Sequence, residues 1–254
     1  MTTLLVDIGN TRVKWALLRD ARLSRMRAAA HGGKGAALRA LVRAAPRNVR
    51  RVVAVCVAGK TLERALTASA RARFGVTPEF IRSARGAAGV RNGYRESWRL
   101  GADRWVSVVG AHALARGRAV VIANIGTALT IDGVAPDGRH LGGAIVPGPS
   151  TMIASLLSGT HGIRRRANGS RARERGLFAR DTASALAAGA NYAAAAFVDR
   201  ALREAATAMK ARPLLLLTGG AAPLLRPYIK SAVREVPDLV LRGLAVFSGL
   251  RGSA

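Results

Sequence analysis

Two short apolar runs separated by a polar corner open the chain. Thr3-Leu-Leu-Val-Asp7 reads as a strand that ends in an acid, Gly9-Asn-Thr-Arg12 as a turn, and Val13-Lys-Trp-Ala-Leu-Leu18 as the returning strand. Residues 35–45 and 61–73 space their apolar positions at helical intervals on either side of a strand, Val52–Ala58. A further short strand is expected over Val76–Ile81. The segment Gly89–Tyr94 is polar, and a helix is expected from about Asp103 to Arg116. The opening pattern then returns. Val120–Ala123 is a strand, Asn124-Ile-Gly-Thr127 a corner, and Ala128–Asp132 the returning strand. Ala135-Pro-Asp-Gly138 is a turn, Leu141–Gly148 a glycine-rich strand end, and Ser150–Ser158 a helix. Residues 159–178 are rich in Arg and Gly and are expected to form a mobile loop. Asp181 is placed to cap a long alanine-rich helix, Thr182 to about Met209. Leu214–Thr218 is a buried strand ending in Gly219-Gly220. Leu239–Phe247 is expected to hold a strand leading into a final helix.

The matched hairpins form a weak internal repeat. Each has a strand, a glycine turn carrying hydroxyl residues, and a second strand. A duplicated α/β lobe follows, with a cleft expected between the two hairpins. The division expected is an N-terminal lobe of residues 1–117 and a C-terminal lobe of residues 118–254.

Composition narrows the setting. Half of the 254 residues are apolar, ample for a packed core. No apolar run reaches the ~18–20 residues of a membrane span, so no membrane partner is expected. The start Met1–Asp7 has no basic region and places an acid early, unlike a signal peptide. Cys56 is the only cysteine, so no intramolecular disulfide can form, and it reads as a small buried hydrophobe. A cytoplasmic chain is expected. The net charge of +27, from 41 Lys and Arg against 14 Asp and Glu, is open to two readings. A nucleic-acid binder gathers its charge on one face. Here Arg is spread through nearly every segment, densest at 164–175 and 47–51, which fits a solvated surface under compositional bias. No specific nucleic-acid partner is expected, although such a field draws anions.

A glycine turn between two strands lets backbone N–H groups approach an anion, and Thr11 and Thr127 add hydroxyl donors. Asp7, at a strand end, can hold a metal ion beside phosphates. A lone Gly-Asn-Thr is also an ordinary hairpin corner. Two matched corners, with Gly219-Gly220 after a buried strand, point instead to a nucleotide whose adenosine lies against the glycine pair.

On these residues the chain resembles the type III pantothenate kinases, the first enzymes of coenzyme A synthesis. They belong to the superfamily of acetate and sugar kinases, heat-shock chaperones and actin. The resemblance runs from the first strand almost to the last. Asp7-Ile8-Gly9-Asn10-Thr11-Arg12-Val13-Lys14 is similar to the family's first phosphate motif, and Asn92-Gly-Tyr94 to its substrate-side tyrosine segment. Gly101-Ala102-Asp103-Arg104 is similar to the Gly-x-Asp-Arg signature. Gly126-Thr-Ala128 with Thr130 is similar to the second phosphate motif, Gly142-Gly143 with Pro147-Gly148 to the segment after it, and Thr218-Gly219-Gly220 to the adenosine segment. The resemblance implies two ribonuclease H-like, actin-like ATPase lobes and ATP-dependent phosphorylation of pantothenate to 4′-phosphopantothenate.

It also implies roles. Asp103 accepts the proton of the pantothenate hydroxyl, Arg104 pairs with the pantothenate carboxylate, and Tyr94, with Gly101 and Ala102, lines that pocket. Thr182 contacts substrate from the second lobe or a partner subunit. Asp7 organises Mg2+ with ATP, Thr127 contacts the phosphates, and Gly219 and Gly220 take the adenosine. Each residue also has an ordinary reading on sequence alone: Asp103 as a helix-start acid, Arg104 as a solvated cation, Tyr94 as a plain aromatic, Thr182 as a helix N-terminal residue. A homodimer is implied, with Ala185–Phe197 as an interface helix or simply the core helix of its lobe. One position departs from the family. The second motif usually begins with an Asp that binds a monovalent cation, potassium or ammonium, and this chain has Asn124. Asn keeps a carbonyl oxygen but not the charge, so weakened potassium binding is expected. His140 reads as structural. Two other functions stay open: an accessory protein that keeps the fold without activity, and a kinase of the same superfamily acting on a sugar or acid.

Overall fold

The computed structural model describes residues 1–167 and 176–250. In chain order the elements are β1 (Thr2–Ile8), β2 (Arg12–Arg19), β3 (Arg22–Leu23), β4 (Arg27–Ala30), α1 (Ala36–Ala44), β5 (Val49–Cys56), α2 (Lys60–Phe74), β6 (Glu79–Phe80), β7 (Gly86–Ala87), β8 (Val90–Arg91) and α3 (Ala102–Ala115). There follow β9 (Val120–Ile125), β10 (Ala128–Val134), β11 (His140–Pro147), α4 (Pro149–Gly159), α5 (His161–Ala167), α6 (Thr182–Met209), β12 (Leu214–Thr218), α7 (Ala222–Leu225), β13 (Val233–Glu235) and α8 (Leu239–Leu250).

The chain forms two compact units. The first takes Met1–Gly117, Pro136–His140 and the chain from Asp238 onward; the second takes Arg118–Ala135 and Leu141–Pro237. The first unit holds a mixed sheet in the order β3-β2-β1-β5-β6, with β4 also paired to β2. β1 runs antiparallel to β2 and parallel to β5. As the central strand it is buried along its whole length, which is why it reads as an apolar run rather than as an alternation. Leu4, Val6 and Ile8 face α1 and α2, in one cluster with Leu38, Leu41, Leu62 and Leu66. By the two-residue period of a strand, Thr3, Leu5 and Asp7 lie on the opposite face. That face is covered by α8, which packs on β1 and on α3.

The second unit repeats the plan. Its sheet order is β11-β10-β9-β12-β13, with β9 antiparallel to β10 and parallel to β12. In both sheets a hairpin is followed by a strand parallel to its first arm, and then by a short parallel edge strand, β6 or β13. The core of this unit gathers Val121, Ala123, Ile125, Leu215 and Leu217 of the sheet against Ala194, Ala195 and Val198 of α6. Asp181 caps α6 as expected, its carboxylate accepting the Ser184 N–H at 2.8 Å.

Three expectations need correction. The C-terminal lobe is not the continuous stretch 118–254, because residues 136–140 and the chain after Pro237 belong to the first unit. The cause is helix packing. Gly110 of α3 and Gly243 of α8 meet backbone to backbone, and a Cβ at Gly243 would stand 2.0 Å from the Val106 carbonyl oxygen. The segment Leu239–Phe247 is helix throughout rather than a strand leading into a helix. Its two apolar runs, on either side of Arg242-Gly243, suit either form, and in the helix Asp238 accepts from the Arg242 side chain one turn on. Of the loop expected at 159–178, His161–Ala167 is helical, while residues 168–175 lie outside the described residues.

Replacing Gly243 with Ala forces the α3–α8 crossing apart. A loss of about 3 kcal/mol is expected, at the upper end of the usual cost of overpacking, measurable as a lowered midpoint in urea denaturation.

Candidate functional site

The first glycine turn joins β1 to β2 in the first unit. The Gly9 N–H closes it on the Arg12 carbonyl at 3.0 Å. Ile8 and Val13 are fully buried, so these two members of the motif contribute only main chain. Asn10, Thr11 and Arg12 are exposed at the corner. Asp7 and Lys14 face one another across the hairpin. Asp7 is only 6% exposed, and no hydrogen bond from a described residue bears on its carboxyl. Burial pushes its carboxyl up from 3.8 to about 7; Lys14 pulls against this, and the nearby Asp103 adds to it. The structure thus brings Asp7 and Asp103 within electrostatic reach of each other. It also sets His31 under the turn, a residue outside every sequence motif: its Nε2 is 2.7 Å from the Gly9 carbonyl oxygen and its Nδ1 accepts the Gly33 N–H at 3.0 Å.

Asp103 and Arg104 sit in the first turn of α3. The Asp103 Oδ1 accepts the Arg104 N–H at 2.8 Å, and Ser107 Oγ donates to the Asp103 carbonyl. A Cβ at Gly101 would come within 2.9 Å of Asp103 Oδ1, so a larger residue there would displace the carboxylate. This gives the glycine of the Gly-Ala-Asp-Arg run a packing reason, and Ala102 follows as the first helical residue. Arg104 is not the solvated cation that composition alone would suggest. It is 5% exposed, donates from Nη1 to Tyr94 Oη at 2.8 Å, and lies 5.5 Å from the centre of the Tyr94 ring. The other neighbour of that ring is His140, parallel to it within 7° at 6.2 Å, and His140 Nδ1 accepts the Gly93 N–H. Asn92 anchors the segment by accepting from the Tyr94 N–H and donating to the Ala84 and Ser97 carbonyls. Tyr94 is therefore held by Arg104, His140 and its own loop. His140 reaches it because residues 136–140 dock on the first unit, with the Arg91 N–H on the Gly138 carbonyl and Arg91 paired with Asp137.

The second glycine turn lies in the second unit. The Gly126 N–H closes it on the Ala128 carbonyl, and the Thr127 carbonyl is held by the Gly148 N–H at 2.9 Å and by Thr151 Oγ1 at 2.6 Å. Thr127 itself is exposed. Gly219 follows β12 with φ at +97°, and a Cβ there would stand 2.2 Å from the Ile125 carbonyl oxygen and 2.6 Å from Asn124 Oδ1. Gly220 faces open space. Asn124, Thr127, Gly148 and Gly219 thus form one neighbourhood. Thr182 is half-buried at the start of α6 and lines a cavity of about 380 Å³ with Met152, Leu156, Ile163, Leu186 and Gly189.

Among the described residues no group of three or more His, Cys, Asp or Glu is placed to hold a metal ion. A divalent ion carried by a nucleotide needs no such cage, since phosphate oxygens and water supply most of its ligands and one or two carboxylates suffice. A buried carboxylate without a hydrogen-bond donor, as Asp7 is, fits that demand.

The raised Asp7 carboxyl fixes a sign for stability against pH. Between about pH 4 and pH 7 the unfolded chain has lost this proton while the folded chain keeps it, so stability falls as pH rises through that window. The loss is at most ~4 kcal/mol, from about three pKa units at ~1.4 kcal/mol each. Asp7→Asn removes it. Urea titrations at pH 5 and pH 8 should show the variant gaining on the parent protein as pH rises.

Comparison with known proteins is consistent along the chain. The family model described as type III pantothenate kinase matches residues 3–204. A type III pantothenate kinase of Nitrosococcus oceani is 39% identical over 248 residues, covering 95% of this chain and 92% of that protein. Two solved structures share the fold at low identity. Component A of the (R)-2-hydroxyglutaryl-CoA dehydratase of Acidaminococcus fermentans has a TM-score of 0.57 at 13% identity, covering 97% of this chain and 95% of that one. The ROK hexokinase of Thermus thermophilus has a TM-score of 0.51 at 14% identity, with full coverage of both. The two sheets are those of the actin-like ATPase fold, and the chain belongs to the type III pantothenate kinase family.

Proposed function

We propose that this chain transfers the γ-phosphoryl group of ATP to the hydroxyl of pantothenate, giving 4′-phosphopantothenate and ADP, the first step of coenzyme A synthesis. Family membership supports the reaction. The observation that carries the site is the pairing of Asp103 with a buried Arg104 at the head of one helix, beside Asp7.

Asp103 is the base. An alcohol does not ionise alone at neutral pH, and in a loose phosphoryl-transfer transition state the base chiefly aligns the nucleophile and takes its proton late. The hydroxyl oxygen forms a bond to the γ-phosphorus, the bond from that phosphorus to the bridging oxygen breaks, and the electron pair leaves with ADP. Arg104 pairs with the pantothenate carboxylate. A guanidinium this deeply buried, shared with Tyr94, gains more from an anion than an exposed one does. Tyr94 closes the same pocket, and Thr182 contacts substrate from its own helix. The main-chain N–H groups of the Gly9–Arg12 turn, with Lys14, and the exposed Thr127 take the phosphates; Gly219 and Gly220 take the adenosine. Asp7 would hold the Mg2+ that comes with ATP, directly or through water; that ion would neutralise phosphate charge and give the buried acid the counter-charge that burial denies it.

A homodimer in the cytoplasm completes the reading, with Ala185–Phe197 of α6 at the interface. Among the described residues no helix is long and apolar enough to cross a membrane. Asn124 offers a monovalent cation an uncharged carbonyl oxygen, so potassium or ammonium activates this enzyme weakly.

An ADP-release assay with pantothenate and ATP tests the reaction, and absence of pantothenate-dependent ADP would refute it. Asp103→Asn should melt like the parent protein and lose turnover by ~10²-fold or more, the usual worth of a positioned acid–base group. Replacing sodium by potassium should change the parent rate little, whereas Asn124→Asp should acquire potassium activation. Strong activation of the parent protein would contradict the role given to Asn124.

A further inference from the structure

His31 belongs to none of the motifs, yet it is the group that holds the first glycine turn from outside. The corner residues Asn10, Thr11 and Arg12 are exposed, so burial of their side chains does not fix the turn. Two of its carbonyls are instead held by one residue. The His31 main-chain N–H donates to the Thr11 carbonyl at 3.3 Å, and its ring Nε2 lies 2.7 Å from the Gly9 carbonyl oxygen. The other ring nitrogen, Nδ1, accepts the Gly33 N–H at 3.0 Å. A neutral imidazole has one donor and one acceptor, so an acceptor at Nδ1 leaves the proton on Nε2, where Gly9 needs a donor. The ring is buried at the end of β4, which is itself paired to β2 with Arg12 opposite Ala30.

Peptide planarity turns this brace into a device for aiming donors. In a trans peptide the C=O and the following N–H point in opposite directions, and no peptide among the described residues is cis. Drawing the Gly9 carbonyl towards His31 turns the Asn10 N–H away from it. Drawing the Thr11 carbonyl towards the His31 main chain does the same for the Arg12 N–H. We propose that His31 is a positioning residue for nucleotide binding, orienting the main-chain N–H groups of residues 10 and 12 that receive phosphate oxygens. It rests on the reading that this turn takes the phosphates of ATP.

The test separates the two ring nitrogens. His31→Gln can supply an amide donor near the place of Nε2. His31→Asn can supply an acceptor near the place of Nδ1 but no donor to Gly9. His31→Ala supplies neither. Gly9→Val, which crowds the turn itself, serves as the reference. MgATP affinity by calorimetry, the KM values for ATP and pantothenate, and the thermal midpoint are measured for all four. His31→Ala and His31→Asn should weaken MgATP binding about tenfold, the worth of one buried hydrogen bond. His31→Gln should stay within about threefold of the parent protein, and the KM for pantothenate should not move. Parent-like MgATP affinity in His31→Ala and His31→Asn overturns the role of His31; in that event weakened binding in Gly9→Val leaves the turn as the phosphate site, while unchanged binding there removes that reading too. Affinity that falls equally in all three His31 variants, in step with the thermal midpoint, also overturns it, because a purely structural histidine gives that result.

Discussion

A buried acid near the end of a central strand sets the terms for the first unit. Asp7 shares its face of β1 with Thr3 and Leu5, where α8 packs, and burial raises its carboxyl to about 7. An uncompensated carboxylate there is costly, and a fold selected for stability alone would replace it. Its retention makes sense if a cation arrives with the substrate. Asp103 depends on the same packing. It sits at the head of α3, and α3 is held against α8 by the meeting of Gly110 and Gly243, so the distance between the two acids follows from a helix crossing in which neither takes part.

The two sheets apply one plan to different ends. Each places an exposed glycine turn after a buried first strand and pins the carbonyls of that turn from outside. In the first unit His31 provides the pins; in the second, Gly148 and Thr151 hold Thr127. The two turns therefore share an arrangement rather than residues: main-chain oxygens are tied back, and in the proposed reading their amide edges receive the phosphates.

Much of this was legible in the sequence, for physical reasons. Both hairpins were legible because apolar runs and glycine corners alternate on the scale of single elements, and α6 because Asp181 marks its start and alanine sustains it. β4 and β13 were not, since they are short, largely exposed edge strands whose existence depends on a neighbour distant in sequence. α8 was misread in part because the short apolar runs on either side of Arg242-Gly243 carry no period to separate strand from helix. Of the motif positions, Ile8 and Val13 belong to the core, while His31 and His140 gain contacts only when distant segments meet. Nothing local marks either histidine: the Gly9 carbonyl that His31 meets lies 22 residues away, and the Gly93 N–H that His140 accepts lies 47 away.

The return of the last helix to the first unit has a consequence for the order of assembly. During synthesis β1 finds α1 and α2 for one of its faces as soon as the chain has reached Phe74. Its other face, the one carrying Asp7, has no α8 to cover it until residues 239–250 have been made. β1 is thus finished by a helix that follows the whole of the second unit in the chain, so the packing of the first unit is completed only after the second has been synthesised.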